Sequence, residues 1–224
     1  MIIRSKRKTL ALYITKNGLE VRAPLKLSQK KIDEFVASKA HWINKHLSDL
    51  QELHQGKANF ELDYGSAIRL YGDKFFITPL GDLEDQQKPY LSGDELRITS
   101  GKSQSELKTN IIAYYKAEAK QLINNQVGYF SGVMNLSTPK VKITSAHTRW
   151  GSCSSKGNIN FSWRLIMADK AAIDYVIIHE LCHLTHHNHS EKFWNLVKKY
   201  CPDYKAQRSK LKALGRKLLS EDWN

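Results

Sequence analysis

The chain has 224 residues, 41% of them apolar, with a formal net charge of +13 and three cysteines. This is enough to bury a core in one large domain or two small ones, and with no run of about 18 apolar residues a membrane-spanning helix is excluded. Charge follows Met1, Ile2 and Ile3 too soon for a signal peptide, so a cytoplasmic globular protein is expected, while Cys153, Cys182 and Cys201, widely spaced and without Cys-x-x-Cys, argue against a disulfide scaffold or a thiolate zinc site.

The first hundred residues read as short strands around one helix. Lys8 to Ile14 alternates, with Leu10, Leu12 and Ile14 on one side, and Lys16, Asn17 and Gly18 signal a hairpin before Leu19 to Ala23. Pro24 ends that strand. Ser28 is placed to cap a helix carrying Ile32, Phe35, Val36, Ala40, Ile43 and Leu47, with Trp42 at the edge of this core stripe. Strands are expected at 67–71, 74–79 and 95–99, with turns at Gly72-Asp73 and Ser92-Gly93-Asp94.

Composition changes near residue 102, which suggests a β-rich subdomain over 1–102 and a second domain over 103–224. Ser103 and Glu106 fit a capping box opening a long helix with Leu107, Ile111, Tyr115, Ala119, Leu122 and Ile123 on one side. Two strands follow, 140–145 and 158–165; in the second, Ile159, Phe161 and Trp163 alternate with polar residues. Between them runs Arg149, Trp150, Gly151, Ser152, Cys153.

Asp169 is a good N-cap for the next helix, which runs through Val176 and Ile177 into His179. Residues 179–189 hold five of the nine histidines and an intact His-Glu-x-x-His. On a helix, His179 and His183 lie about 40° apart around the axis and can present imidazoles to one ion, with Glu180 beside them. That layout suits a zinc hydrolase in which a third ligand completes the shell and the carboxylate takes a proton from the attacking water. Four residues compete as third ligand: His186, His187, His189 and Glu191. His186 and His187 would climb away from the ion on a continuing helix, whereas a left-handed Asn188 would return His189 toward it; Ser190 then caps the following helix. The ten-residue spacing from His179 to His189 matches metzincins, although His186 stands where that group has its turn glycine.

The motifs together resemble a known family. Arg149-Trp-Gly-Ser-Cys, Gly157-x-Ile-x-Phe, Trp163-Arg-Leu, Tyr175-Val-Ile-Ile-His-Glu-Leu-Cys-His-Leu and Asn188-His-Ser-x-x-Phe-Trp194 are similar to the YgjP-like metallopeptidases, as are the N-terminal hairpin and the Trp42 helix. Ala168 and Asp169 depart from the proline common there. That family is in turn similar to WLM and SprT/Spartan-type zincin proteases, where a histidine before an aromatic-bearing helix is the third ligand; His189 before Phe193 and Trp194 matches it.

The resemblance implies an α+β zincin fold: an active-site helix, a backing helix near 103–125 and a small antiparallel sheet. It implies Zn²⁺ held by His179, His183 and His189, with Glu180 as general base, and a peptide or protein substrate. The strand 158–165 is the candidate edge along which such a peptide pairs, unless it is central and fully paired. Arg149, His147, Arg164 and Tyr200 compete to stabilise the oxyanion. Cys182 and Cys153 read as inert thiols, and Trp150, Trp163 and Trp194 as core or cleft wall.

Two rivals follow from the same features. Lys192, Lys198, Lys199, Lys205, Arg208, Lys210, Lys212, Arg216 and Lys217 face only Asp203 in their window. Such a field attracts nucleic acid, as for a DNA-associated protease, but equally forms a solvated helix face. The other rival is a zinc-stabilised binding module without catalysis, against which the intact Glu180 argues.

Overall fold

A computed structural model of the chain describes residues 1–15, 17–80, 88–99 and 103–223. They form two compact units, one of Met1–Phe60 with Lys217–Asp222 and one of Glu61–Arg216 with Trp223. This division and the one expected at residue 102 do not coincide: the strands between 67 and 98 group with the long helix that follows them. Residue 102 itself, like Lys16 of the expected hairpin turn, lies outside the described residues.

In the first unit β1 (Ile2–Ser5), β2 (Ala11–Thr15) and β3 (Gly18–Pro24) form a sheet with β3 central, parallel to β1 and antiparallel to β2. Strand β1 escaped the sequence reading because all four of its residues are exposed and carry no burial pattern. The stripe from Ile32 to Leu47 belongs to two helices, α1 (Gln29–Ser38) and α2 (Ala40–Ala58). Lys39 leaves helical geometry (φ −109°) and closes α1 on Val36, and Ser28 occupies the N-cap without a side-chain bond. Val21, Ala23 and Ile32 are the buried centre.

The second unit contains a sheet of β4 (Ala67–Leu70), β5 (Asp73–Pro79), β6 (Tyr90–Ser92) and β7 (Glu95–Ile98) in the order β4-β5-β7-β6. Then comes α3 (Gln104–Val133), whose 30 residues span about 45 Å at 1.5 Å per residue. Ser103 accepts from the Glu106 N–H as the capping motif predicts, and Leu107, Ile111, Tyr115, Ala119, Ile123 and Val127 bury one face. Strands β8 (Val141–Thr144), β9 (Gly151–Cys153) and β10 (Ile159–Ser162) form a third sheet.

That sheet corrects two expectations. It is mixed rather than antiparallel, and β10 is its centre, parallel to β8 and antiparallel to β9. The edge nearest the histidines is therefore β9. Moreover, β10 stops at Ser162, whose hydroxyl accepts the Arg164 N–H and opens a 3₁₀ turn over Trp163–Met167. All five turn residues are buried, with Trp163 stacked on Tyr115 at 5.7 Å.

Helices α4 (Lys170–Cys182), α5 (Glu191–Tyr200) and α6 (Tyr204–Leu219) complete the chain. The N-terminus of α4 is fixed at two points. Asp169 accepts the Ala172 N–H at 2.9 Å, and the β4–β5 turn seats against it: a Cβ on Gly72 would lie 2.8 Å from Asp169 Cα. Tyr71 and Gly72 both take positive φ (57° and 89°), the geometry of a type I′ hairpin turn. Tyr71 holds that shape by donating its hydroxyl to Glu118 of α3. No helix among the described residues is long and apolar enough to cross a membrane.

Candidate metal centre

Helix α4 is apolar almost all round. Ile173, Val176, Ile177, Ile178, Leu181 and Cys182 are buried, so it runs through the core and packs on α3, α5 and β9. His179 lies in its last turn and His183 is its C-cap. The expected continuation of the helix to His186 and His187 does not occur; the chain instead tightens, with Leu184 and Thr185 bonding back to Leu181 and Cys182. It then returns without a left-handed Asn188, since Tyr71 and Asn135 are the non-glycine positive-φ residues among those described.

The return brings His189 to the helix. One ligand atom each of His179, His183 and His189 lies within 4.8 Å of the others, and the Nε2 atoms of His179 and His189 are 3.1 Å apart. Two ligands on a tetrahedral zinc at about 2.0–2.1 Å would stand about 3.3 Å apart, so the spacing fits a shared ion. The His183 Nδ1 lies 3.0 Å from the His186 carbonyl, and donating to it leaves Nε2 for a metal. His186 thus contributes its backbone and not its ring. Glu191 opens α5 exposed to solvent and stands outside the triad.

Aromatic rings set these imidazoles. Phe193 packs against all three at 4.5–4.9 Å between centroids, and Trp194 stacks on His189 at 5.5 Å. His179 Nδ1 is buried without a hydrogen-bond partner, so packing by Tyr175, Phe193 and Trp194 fixes that ring. Burial, then the neighbouring His183 and His189, push the His179 pKa down to about 3. His183 is also lowered, chiefly by burial. Neutral imidazoles are the metal-binding form.

Glu180 is 5% exposed, and burial raises its pKa to about 7. It faces β9 at Gly151, where a Cβ would fall 2.6 Å from its Oε1 and 2.7 Å from its Cγ. Only a residue without a side chain leaves this carboxylate its place. Gly151, Ser152 and Cys153 line, together with His179, Glu180, His183, His187 and His189, a cavity of about 420 Å³. Sequence reasoning missed β9 because three residues show no periodicity; the glycine after Trp150 was its one local mark.

None of the four oxyanion candidates lines this cavity. Arg164 is committed elsewhere, donating to the Ser145 and Trp223 carbonyls while lying over Trp163. All three cysteines are free; burial raises the Cys153 and Cys182 thiol pKa values, the latter to about 12, as expected of inert thiols. In the basic stretch, Lys210 pairs with Asp169, Lys217 with Glu221, and Arg208 lies over Trp194.

No curated protein matches the chain. A solved structure, the metallopeptidase zymogen of Pyrococcus abyssi abylysin, is similar at 23% identity and a TM-score of 0.38, over 41% of this chain and 92% of that one. The family described as "YgjP-like, metallopeptidase domain" matches residues 8–214. With nearly its whole length matched, this α+β chain belongs to the YgjP-like metallopeptidase family.

Proposed function

We propose that the chain is a zinc-dependent metallopeptidase with His179, His183 and His189 as ligands and Glu180 as general base. The observation that carries this reading is the convergence of three imidazoles beside a buried carboxylate in one open cavity. Bound zinc supplies a Lewis acid that lowers the pKa of water and polarises a carbonyl. The residues do the rest. Glu180 accepts the attacking water's proton and hands it to the leaving amine, a transfer its raised pKa suits in both directions. Among the described residues β9 is an edge strand of its sheet and lies beside the cavity, so an extended peptide can pair with it and lie across the site.

Three protein ligands favour catalysis over a structural role, because structural zinc sites normally close with four. Metal analysis of the purified chain is expected to give about one zinc per molecule. An unbiased cleavage-product screen should find products with the wild type and none with Glu180→Gln. Products appearing equally with both would end the reading.

Gly151→Ala probes the carboxylate's seat. The new methyl displaces Glu180 while leaving the three imidazoles in place, so zinc content should hold and kcat/KM should fall about 100-fold, the scale of a 1 Å misplacement. Unchanged kinetics in a folded Gly151→Ala protein would show that Glu180 works from another position.

A further inference from the structure

The β8–β10–β9 sheet has two unlike faces. One is apolar and covered, with Ile159 and Phe161 fully buried. On the other, register sets Lys142, Asn160 and Ser152 in one row across the three strands. Arg149, just before β9, joins them to line a hollow of about 250 Å³ whose walls include Thr144 and Ser162. The last two hydroxyls are spent on the Phe161 and Ala146 carbonyls. Asn160 donates to Ser152 Oγ at 3.4 Å, which leaves the Ser152 proton for another acceptor. The remaining side-chain donors include the two cations, Lys142 and Arg149, and the Ser152 hydroxyl, and no carboxylate lines the hollow. Among the described residues, no hydrogen bond or ion pair engages the side chain of Lys142 or Arg149.

Gly151 and Ser152 line both this hollow and the cavity of the candidate metal centre. We infer that the hollow is a subsite for an acidic side chain of the substrate, an Asp or Glu of a peptide lying along β9, an inference that rests on the metallopeptidase reading above. Side chains of an added strand point to opposite faces in turn. Those on the Gly151 face turn toward Glu180; their immediate neighbours fall on the Ser152 face, where Lys142 and Arg149 can engage a carboxylate by charge-assisted hydrogen bonds. A nucleic-acid phosphate is the less favoured occupant. A phosphate backbone is tracked by cations spread along a groove, whereas these two converge on one small volume.

Matched peptides that differ by Glu or Gln at single positions provide the test, with two readouts. In hydrolysis by the zinc-loaded wild type, Glu at a position adjacent to one that faces the metal cavity should raise kcat/KM about tenfold over Gln. In the Lys142→Gln, Arg149→Gln double variant that ratio should fall toward one, and with Lys142→Glu and Arg149→Glu a Lys-containing peptide should become preferred. The second readout is fluorescence anisotropy of the same labelled peptides on Glu180→Gln protein, which needs no turnover. Hydrolysis without Glu selectivity, or selectivity surviving in the double variant, overturns the subsite and leaves the peptidase reading intact. Glu-selective binding lost in the double variant, without hydrolysis by the wild type, supports the subsite and overturns the peptidase reading. If instead the double substitution weakens salt-sensitive binding of an oligonucleotide and leaves the peptide ratios unchanged, the hollow belongs to phosphate and the inference fails.

Discussion

Glu180→Gln is expected to keep its metal and lose peptide hydrolysis by about 10²–10⁴-fold, the usual contribution of a positioned general base. The substitution is well suited to separating chemistry from folding. Glutamine matches the carboxylate in size, so it fits the space beside Gly151 without a clash that glutamate avoids. It also removes a group whose ionisation burial disfavours, as the raised pKa of Glu180 records, and so stability at neutral pH should not fall. Metal content is unaffected because the three imidazoles come from other residues. The measurement is kcat/KM alongside zinc content and the melting temperature. A variant that keeps zinc, melts as the wild type does and still hydrolyses at full rate would remove Glu180 from the chemistry.

Much of the site was legible because its information is local. His179, Glu180 and His183 lie within one helical turn and a half; Asp169 caps that helix through a bond three residues away, and the apolar run before His179 announces its burial. The rest depends on partners distant in sequence. Trp163 and Arg164 continue the alternation of β10, yet Ser162 turns the chain, and Arg164 is held by Ser145 and by Trp223, 59 residues away. Which strand is central is likewise a property of pairing. The pattern of β10 reads the same at an edge as between β8 and β9, so the edge proposed for peptide pairing is instead β9, three residues with no pattern at all. The return of His189 was anticipated, but by a left-handed Asn188; tight bonding at Leu184 and Thr185 ends the helix instead, and the His186 carbonyl at His183 Nδ1 stabilises the reversal.

His189→Ala should raise the zinc Kd by more than the roughly 10–100-fold typical of losing an outer-shell partner, and activity should fall with it. His179 lies in the last turn of α4 and His183 is its C-cap, whereas His189 comes from beyond the helix, so its loss leaves two imidazoles at one helix end and an ion open on the other side. Two controls on neighbouring residues make the result specific. Glu191→Ala removes a carboxylate two residues away that stands outside the triad, and zinc affinity should stay within about twofold of wild type. His186→Ala deletes a ring but keeps the carbonyl that accepts from His183, so it too should retain the metal. Titration with a competing chelator measures all three, with circular dichroism confirming that α4 remains folded. Zinc lost in Glu191→Ala and kept in His189→Ala would reverse the assignment and make the carboxylate the third ligand. Because Phe193 and Trp194 pack directly on the His189 ring, Trp194→Ala offers a graded version: the ligand remains, its orientation loosens, and zinc affinity should fall by about tenfold rather than collapse.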